Sequence, residues 1–266
     1  MEPDHLHMIN KIGYIPVGLG NKNFNNEWFT DRGKENISSK NQYYGEYTFH
    51  YWIWKNHINK LEDKWIGFCQ YRKFWSKKEN TGNNLNFSEF NNLLIKEINL
   101  DNNNYESIIG APFYVDKFKP TKFLKKNFKK ILLSPALLFN KSKRTIKFHF
   151  DLMHGEGNLE KAIEILDAND RNDFNNFVNS KNFFNPHNMF ICKSPRILEK
   201  YYKAVFPWLK ECEKIFGFEK LQGYGMKRIY GFLAERYLSF WFQKYTKYKT
   251  MPIYFKDLSD YNYKDL

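Results

Sequence analysis

The sequence predicts an α/β protein in which a mixed sheet is flanked by helices and followed by a helical C-terminal portion. Short apolar segments bounded by turn residues predict the strands, and they alternate with longer segments of helical spacing over the first two thirds of the chain. The last third has helical spacing almost throughout. A length of 266 residues, with no internal repeat, predicts one domain over residues 1–266.

The first half of the chain contains three predicted strands and two predicted helices. Residues 12–17 are apolar and precede the turn-like sequence GLGNKN, so they predict a strand. The aromatic residues of 46–56 have helical spacing, and 65–70 predicts a short buried strand reached through a turn. A helical patch at 87–98 lies within an asparagine-rich stretch, and SIIGAPFY at 107–114 predicts the next strand.

The second half is predicted to be mainly helical. Residues 158–166 have helical spacing, and 190–192 predicts a strand entered from the sequence NPHNM. Two long helices are predicted after it, at 194–216 and 225–245.

Composition indicates a folded protein of a reducing compartment. Hydrophobic residues make up 42% and aromatic residues 19% of the chain, which excludes a disordered protein. Cys69, Cys192 and Cys212 are widely spaced and odd in number, so they predict no disulfide framework. The first residues lack the apolar core of a signal peptide, and the longest apolar run, 131–139, is too short to span a bilayer. The sequence therefore predicts a cytoplasmic protein.

The net charge of +13 is concentrated in one segment of the chain. Residues 117–150 include eleven Lys and Arg side chains and no acidic residue. Leu124, Phe128 and Ile131 share one face if this segment is helical, with lysines opposite. Such an element binds a membrane surface or a polyanion, or it is a solvated helix whose apolar face joins the core. Nucleic acid is not a predicted partner, because no helix-turn-helix, zinc-finger or RNP signature accompanies the charge.

The segment 36–75 combines aromatic rings with cationic and amide side chains at high density. Aromatic faces supply apolar contact for a sugar, while Arg and Lys bind phosphate oxygens, so the segment predicts a site for a sugar joined to a phosphate. Lys40, Asn41, Tyr44 and Glu46 lie at a predicted helix start, where backbone N–H groups favour an anion. A serine N-cap explains the two serines that precede them, but neither the lysine nor the tyrosine.

A second polar group follows a predicted strand. Gln70, Tyr71, Arg72 and Lys73 come directly after WIGFC, and ligands of open α/β sheets bind outside the carboxyl ends of strands. A solvated strand end is the alternative. The chain has no interior Asp-x-Asp pair to hold a metal on a diphosphate, so Lys40, Arg72 and Lys73 are expected to supply the positive charge. No metal site is predicted, and whether Mg²⁺ or Mn²⁺ accompanies a diphosphate stays open.

Titratable residues cluster in the sequence FHFDLMHGEG. His149, Asp151 and His154 offer three metal ligands, but their spacing matches no known metal site. Asp151 or His154 is a better candidate for a general base that takes a proton from a sugar hydroxyl. A polar loop without chemistry is the alternative.

Two further groups lie in the last third of the chain. His187 and Asn188 precede a predicted buried strand and present imidazole and amide donors to a cleft. Arg228, Glu235 and Arg236 lie in an otherwise apolar helical segment, with Glu235 two turns after Arg228. A buried structural ion pair and a catalytic Glu235 explain this pattern equally well.

Four of these motifs occur together and in a recognisable order. They are ENISSKNQYYGEYTFHYWIWKN at 35–56, KWIGFCQYRKFW at 64–75, HNMFICK at 187–193 and RIYGFLAERYLSFW at 228–241. In this the chain resembles the bacterial capsule and exopolysaccharide glycosyltransferases grouped as domain-of-unknown-function family 4422. The match covers nearly the whole chain.

The resemblance implies a GT-A-like fold, a UDP-sugar donor of galactose or galactofuranose type, and a growing or lipid-linked polysaccharide acceptor at the inner face of the membrane. The residues expected to hold the donor and its diphosphate are Lys40, Asn41, Arg72 and Lys73. Those expected to line the sugar site are Tyr44, Glu46, Gln70, Tyr71, His187 and Asn188. Those expected to deprotonate the acceptor are Asp151, His154 or Glu235, with Arg228 and Arg236 in ion pairs.

The chain departs from the family pattern at two motif positions. Gln70 replaces a histidine, so it is assigned to binding rather than to proton transfer. Gly45 replaces a cysteine, which therefore carries no required chemistry. The apolar strand that usually opens family members is also missing, so the chain is expected to be a piece of a longer protein or to have a shortened nucleotide site. A non-catalytic glycan-binding module and a peripheral polyanion-binding protein are the alternative functions.

Overall fold

The computed structural model describes residues 3–79, 85–98, 104–117 and 143–261. Most of the basic segment 117–150 lies outside the described residues. The helices in the described part are α1 (Pro3–Lys11), α2 (Asn41–Tyr44), α3 (Tyr47–Asn56), α4 (Phe87–Leu93), α5 (Ile146–His154), α6 (Asn158–Glu164), α7 (Ala168–Ser180), α8 (Pro195–Phe216), α9 (Gly223–Lys227) and α10 (Ile229–Tyr245). The strands there are β1 (Val17–Gly18), β2 (Phe29–Thr30), β3 (Ile66–Gly67), β4 (Lys73–Trp75), β5 (Ser107–Gly110), β6 (Phe113–Tyr114), β7 (Phe183–Phe184), β8 (Phe190–Cys192), β9 (Tyr248–Met251) and β10 (Ile253–Phe255).

The central sheet is mixed, as predicted, with the strand order β3-β8-β5-β9. Strand β8 is antiparallel to both of its neighbours, with Cys192 opposite Ile66 of β3 and opposite Ser107 of β5. Strand β9 is parallel to β5. The carboxyl ends of β3, β5 and β9 and the beginning of β8 therefore meet at one edge of the sheet, which we call the strand-end edge.

Two-stranded pairs extend this framework. Strand β6 follows β5 and pairs with β7, which precedes β8. Strand β4 follows β3 and pairs with β10, which follows β9. Each of these pairs is built from chain that leaves or enters the strand-end edge, so the edge is enclosed by short structured segments.

The helical layer is held by apolar side chains at helical spacing. In α8, Leu198, Tyr201, Val205 and Leu209 recur every three or four residues and all have 0% exposure, so this face packs against the core. Helix α10 is buried on nearly every side, as expected for a helix between the sheet and other helices. The C-terminal portion is therefore helical until β9, as predicted.

Several local predictions differ from the structure in type, length or continuity. Residues 12–17 were predicted as a strand, but Ile12 is buried beside Met8 at the end of α1, and only Val17 and Gly18 join a strand pair. The predicted strand 107–114 is two strands, separated by a break at residues 111 and 112. The predicted helix 225–245 is interrupted at Arg228. Across the described ranges, no helix is long and apolar enough to cross a membrane.

Candidate functional site

Polar side chains from four separate parts of the chain converge at the strand-end edge. Gln70 follows β3, Asn188 precedes β8, Glu46 precedes α3 and Arg228 lies at the break between α9 and α10. The carboxylate of Glu46 joins them. Its Oε1 accepts hydrogen bonds from Gln70 Nε2 and Asn188 Nδ2, each at 2.8 Å.

Glu46 lies deep in the site but still reaches solvent. Its side chain is 24% exposed, and its Oε2 lies 3.7 Å from Arg228 Nη2, which is longer than a hydrogen bond. Burial raises the pKa of Glu46, although its own backbone N–H, Asn188 and Arg228 act in the opposite direction. Glu46 is thus a carboxylate with one fully bonded oxygen and one less occupied oxygen.

The residues after β3 form a tight turn. Gln70 and Lys73 exchange backbone hydrogen bonds of 3.2 and 3.0 Å, which places Tyr71 and Arg72 at the tip. Lys73 Nζ donates to Gln70 Oε1 at 2.6 Å. Burial lowers the pKa of Lys73, while the charge of Glu46 raises it. Lys73 thus brings a partly buried positive charge to the site.

A left-handed turn precedes β8. His187 and Asn188 have φ angles of 79° and 53°, a region that non-glycine residues occupy at a cost of about 1–3 kcal/mol each. The backbone N–H of His187 donates to Glu235 Oε1 at 2.5 Å, and its carbonyl accepts from Gln70 Nε2 at 2.6 Å. These two bonds hold the turn and direct the Asn188 amide toward Glu46.

The Asn188 amide has an acceptor atom with no partner in the described part of the chain. The residue is 6% exposed, and its Oδ1 is buried with no hydrogen bond among the described residues. Its Nδ2 donates to two acceptors, Glu46 Oε1 and the carbonyl of Gly231 at 3.2 Å. Exchanging the amide nitrogen and oxygen would set two acceptors against Oδ1, so the assignment follows from the contacts.

A buried ion pair between Arg236 and Glu235 stabilises the turn at His187 and Asn188. Arg236 is 1% exposed, lies 3.6 Å from the centre of the Phe184 ring and pairs with Glu235 Oε2. Its Nη2 donates to His149 Nδ1 at 3.4 Å. Both oxygens of Glu235 are therefore engaged, one by His187 and one by Arg236. This geometry favours the structural interpretation of Glu235 and Arg236.

Arg228 approaches Glu46 through space left by a glycine. Gly45 has φ 61° and ψ −135°, a conformation that suits glycine. A Cβ atom there would overlap the Arg228 guanidinium. The lack of a side chain at Gly45 thus allows Arg228 to lie beside Glu46.

Two exposed aromatic rings border this polar group. Phe255 is 58% exposed; its ring centre lies 5.1 Å from that of His187 and 5.6 Å from Lys73 Nζ. Tyr224 is 70% exposed beside Arg228. Burial and the charge of Lys73 lower the pKa of His187 to about 3, so its imidazole is neutral at pH 7. Phe255 and Tyr224 were missed by sequence reasoning, because aromatic residues are too frequent in this chain to single them out.

Three residues predicted for the donor or sugar site have other partners. Lys40 Nζ and the Tyr44 hydroxyl both bond to Glu213 of α8 at 2.7 Å. Asn41 Nδ2 donates to the carbonyl of Gly45 at 2.9 Å and to Thr48. The polar atoms of these residues thus fix α2 to its neighbours.

Exposed residues at the turn tip contact the C-terminal region. Arg72 Nε bonds to Asp257 at 2.7 Å, and its guanidinium lies 4.7 Å from the ring centre of Tyr71. Tyr71 is 51% exposed, so both predicted binding residues lie at the outer rim of the site.

Two of the three predicted proton acceptors are occupied elsewhere. Asp151 bonds to Lys147 at 2.7 Å and to the backbone N–H of Gly157 at 3.2 Å. His154 is 3% exposed and bonds through Nδ1 to the carbonyl of Gly225 at 3.0 Å. Burial, with the charge of Arg236, lowers the pKa of His154 to about 3. None of these contacts joins Asp151 or His154 to Glu46.

The donor set does not suit a protein-held metal. In the described ranges, no three or more His, Cys, Asp and Glu side chains are close enough together to hold a metal ion. Glu46 and Glu235, the carboxylates of the site, are directed at amides and at arginines. Lys73 and Arg228 supply the positive charge there.

Comparison with known proteins identifies the fold and the family of the chain. One solved structure, described as "WbbM bifunctional glycosytransferase apo structure", matches 91% of this chain with a TM-score of 0.57 at 22% sequence identity. The match confirms the predicted fold class, and this chain spans 42% of that chain. No curated protein matches. The family model described as Domain of unknown function (DUF4422) matches residues 3–247, so the chain belongs to that family.

Proposed function

We propose that the protein is a glycosyltransferase that moves a hexosyl unit from a UDP-sugar to a capsular or other surface polysaccharide. The observation that carries the proposal is the polar group at the strand-end edge, centred on Glu46 and bordered by the exposed rings of Phe255 and Tyr224. Ligands of open α/β sheets bind at such an edge, and a polar centre with aromatic borders suits a sugar. The likeness in fold to a structure titled as a glycosyltransferase supports the same conclusion.

Each half of the donor has a chemical counterpart in the site. Lys73 and Arg228 are cations that interact electrostatically with Glu46 and would bind the diphosphate oxygens as charge-assisted donors. Asn188 Oδ1 would accept a hydrogen bond from a hydroxyl of the donor sugar, since it has no partner in the described part of the chain. With two protein cations facing the diphosphate, we propose that transfer does not require a protein-held divalent metal.

The finer assignments come from the resemblance to capsule glycosyltransferases. A galactose- or galactofuranose-type UDP-sugar is the proposed donor, and a growing or lipid-linked glycan the proposed acceptor. We propose that transfer takes place on the cytoplasmic face of the membrane, with the basic segment 117–150, most of which lies outside the described residues, contacting the membrane surface.

A donor screen with and without EDTA tests the proposal. Purified protein is given UDP- and other nucleotide-sugars, and nucleotide release is measured with a mixed glycan acceptor. Release from one UDP-hexose that persists in EDTA is the expected result. Failure of every nucleotide and nucleotide-sugar to bind by calorimetry would overturn the enzyme assignment.

A matched pair of lysine variants locates the donor. Lys73→Met is expected to weaken UDP binding by about tenfold, the equivalent of one lost charge-assisted bond of about 1.4 kcal/mol. Lys64→Met is the control, because Lys64 is 68% exposed and pairs with Glu62 outside the site. Equal UDP affinity in the two variants would refute the location of the diphosphate.

A non-catalytic glycan-binding module is the second candidate, and Gln70 favours it. The family histidine is replaced here by an amide whose nitrogen and oxygen are all used within the protein. That function predicts glycan binding without nucleotide binding, which the same calorimetry distinguishes.

A further inference from the structure

We propose that Glu46 is the general base of the transfer reaction and takes the proton of the attacking acceptor hydroxyl. This inference rests on the proposed function and adds to it the proton acceptor. Sequence reasoning assigned Glu46 to sugar binding and sought the base in Asp151, His154 or Glu235.

The contacts of Glu46 place it at the centre of the site. Side chains from three other segments, Gln70, Asn188 and Arg228, all approach its carboxylate. Two amide N–H groups saturate Oε1 at 2.8 Å, which fixes the plane of the carboxylate. Oε2 receives no side-chain hydrogen bond within the described residues; Arg228 Nη2 lies 3.7 Å from it, and the Glu46 side chain is 24% exposed.

Asn188 gives this position a second, independent feature. Its buried Oδ1 has no hydrogen-bond partner among the described residues and belongs to the same amide that donates to Glu46 Oε1. An unpaired buried acceptor costs about 1–3 kcal/mol, which a ligand hydroxyl would recover.

The other candidate bases are more fully engaged or less basic than Glu46. Glu235 and Asp151 have both oxygens engaged. His154 is buried, and its Nδ1 bonds to a backbone carbonyl. His149 Nδ1 accepts a hydrogen bond from Arg236. His187 borders the site, but a pKa near 3 makes its imidazole a weak proton acceptor at pH 7.

The charges around Glu46 suit a proton acceptor. Arg228 and Lys73 face it as cations, Glu235 faces it as an anion, and the ring of His187, which burial and the charge of Lys73 keep neutral, borders the site. Burial and the negative charge of Glu235 raise the pKa of Glu46, which makes it a stronger base than an exposed carboxylate. A diphosphate bound by Lys73 and Arg228 would raise that pKa further, because it adds negative charge.

The step balances without any further reactant. The acceptor O–H bond breaks as its proton passes to Glu46 Oε2, and the acceptor oxygen forms a bond to the anomeric carbon. The bond from that carbon to the diphosphate oxygen breaks, and its electron pair leaves with the nucleoside diphosphate, which is held by the two cations. Glu46 then returns its proton to solvent. A single displacement of this kind inverts the anomeric configuration.

The test compares Glu46→Gln with Glu213→Gln. Glutamine keeps an acceptor for the amides of Gln70 and Asn188 but cannot take a proton. Glu213 is the matched control, since its carboxylate also accepts hydrogen bonds from two side chains, Lys40 and Tyr44, but takes no part in the polar group around Glu46. We expect Glu46→Gln to reduce transfer by about 10²–10⁴-fold, the usual contribution of a general base, and to change UDP affinity less than threefold. Glu213→Gln should transfer at a rate within threefold of the original.

Three readouts can overturn the proposal. Transfer by Glu46→Gln within tenfold of the original protein would refute Glu46 as the base, and so would a product of retained anomeric configuration by NMR. The original kcat/KM should rise with pH through one ionisation, and Glu46→Gln should lose that limb. His187→Asn is the comparison variant, because asparagine tolerates the left-handed turn. If kcat/KM of Glu46→Gln still rises with pH and that of His187→Asn does not, the base is His187. Absence of nucleotide binding in the original protein refutes the proposed function and is a separate result.

Discussion

Replacing Gly45 by alanine tests how the backbone shapes the site. Gly45 has φ 61° and ψ −135°, and an added Cβ would overlap the Arg228 guanidinium. Arg228 is 34% exposed on its side chain, so its guanidinium can move into solvent rather than displace the backbone. We expect Gly45→Ala to fold and to separate Arg228 from Glu46.

The size of the effect follows from two parts. The left-handed backbone costs an alanine about 1–3 kcal/mol, and loss of a partly exposed ion pair costs about 0.2–1 kcal/mol. A central value of about 2 kcal/mol corresponds to a melting temperature lowered by about 4–8 °C for a chain of this size. Donor KM should rise about tenfold, because one charge-assisted contact of about 1.4 kcal/mol with the diphosphate is misplaced.

A double-mutant cycle separates the two parts. Gly45→Ala is measured alone and in an Arg228→Ala background by thermal melting and by donor KM. Gly33→Ala is the backbone control, since Gly33 has φ 75° and an added Cβ there would meet nothing within 4 Å. Gly45→Ala should raise KM only when Arg228 is present. An equal rise in both backgrounds would show that the glycine acts through the backbone alone and would refute the reasoning.

Three further predictions concern stability and the aromatic border. Burial raises the pKa of Asp170, but hydrogen bonds from two tyrosine hydroxyls and Lys244 outweigh it and hold the pKa below its usual range. The ionised carboxylate therefore stabilises the fold above about pH 3.8, and this stabilisation is lost as the pH falls through the native pKa. Asp170→Asn should reduce the dependence of the free energy of unfolding in urea on pH in the acid range. Glu235→Gln should lower the free energy of unfolding by about 3–5 kcal/mol, because it leaves the Arg236 charge buried and unpaired, and adding Arg236→Met should restore most of it; no recovery in the double variant would contradict this. Phe255→Ala should change the unfolding free energy by less than about 0.5 kcal/mol but raise donor or acceptor KM, and unchanged kinetics would remove this ring from the site.

Much of the fold could be predicted from local sequence. The apolar spacing of α8 and the aromatic spacing of α3 predicted both helices within one residue at each end. The strand Phe190–Cys192 was also predicted within its bounds. These elements depend on residues a few positions apart, so their periodicity is visible without a structure.

The candidate site could be predicted only in part. Polar residues after β3 were expected to face a cleft because ligands of open α/β sheets bind outside the carboxyl ends of strands, and the family resemblance assigned the residues before β8 to the same site. The partners of Lys40 and Asp151 were not predictable. Lys40 bonds to Glu213, 173 residues away, and Asp151 bonds to the turn after α5. Such pairings depend on how the helices pack against each other. Helix packing joins residues that are far apart in the chain, so it leaves no local pattern in a single sequence.

The sequence by itself therefore determined the α/β class, the long helices and which residue types gather at strand ends, since each follows from short-range spacing. Tertiary structure alone decided which carboxylate is available. Glu46 and Glu235 look alike in sequence, yet His187 and Arg236 engage both oxygens of Glu235, whereas two amides engage only one oxygen of Glu46. The physical reason is that hydrogen-bond saturation is a property of the packed assembly, in which donors from distant segments meet at one atom.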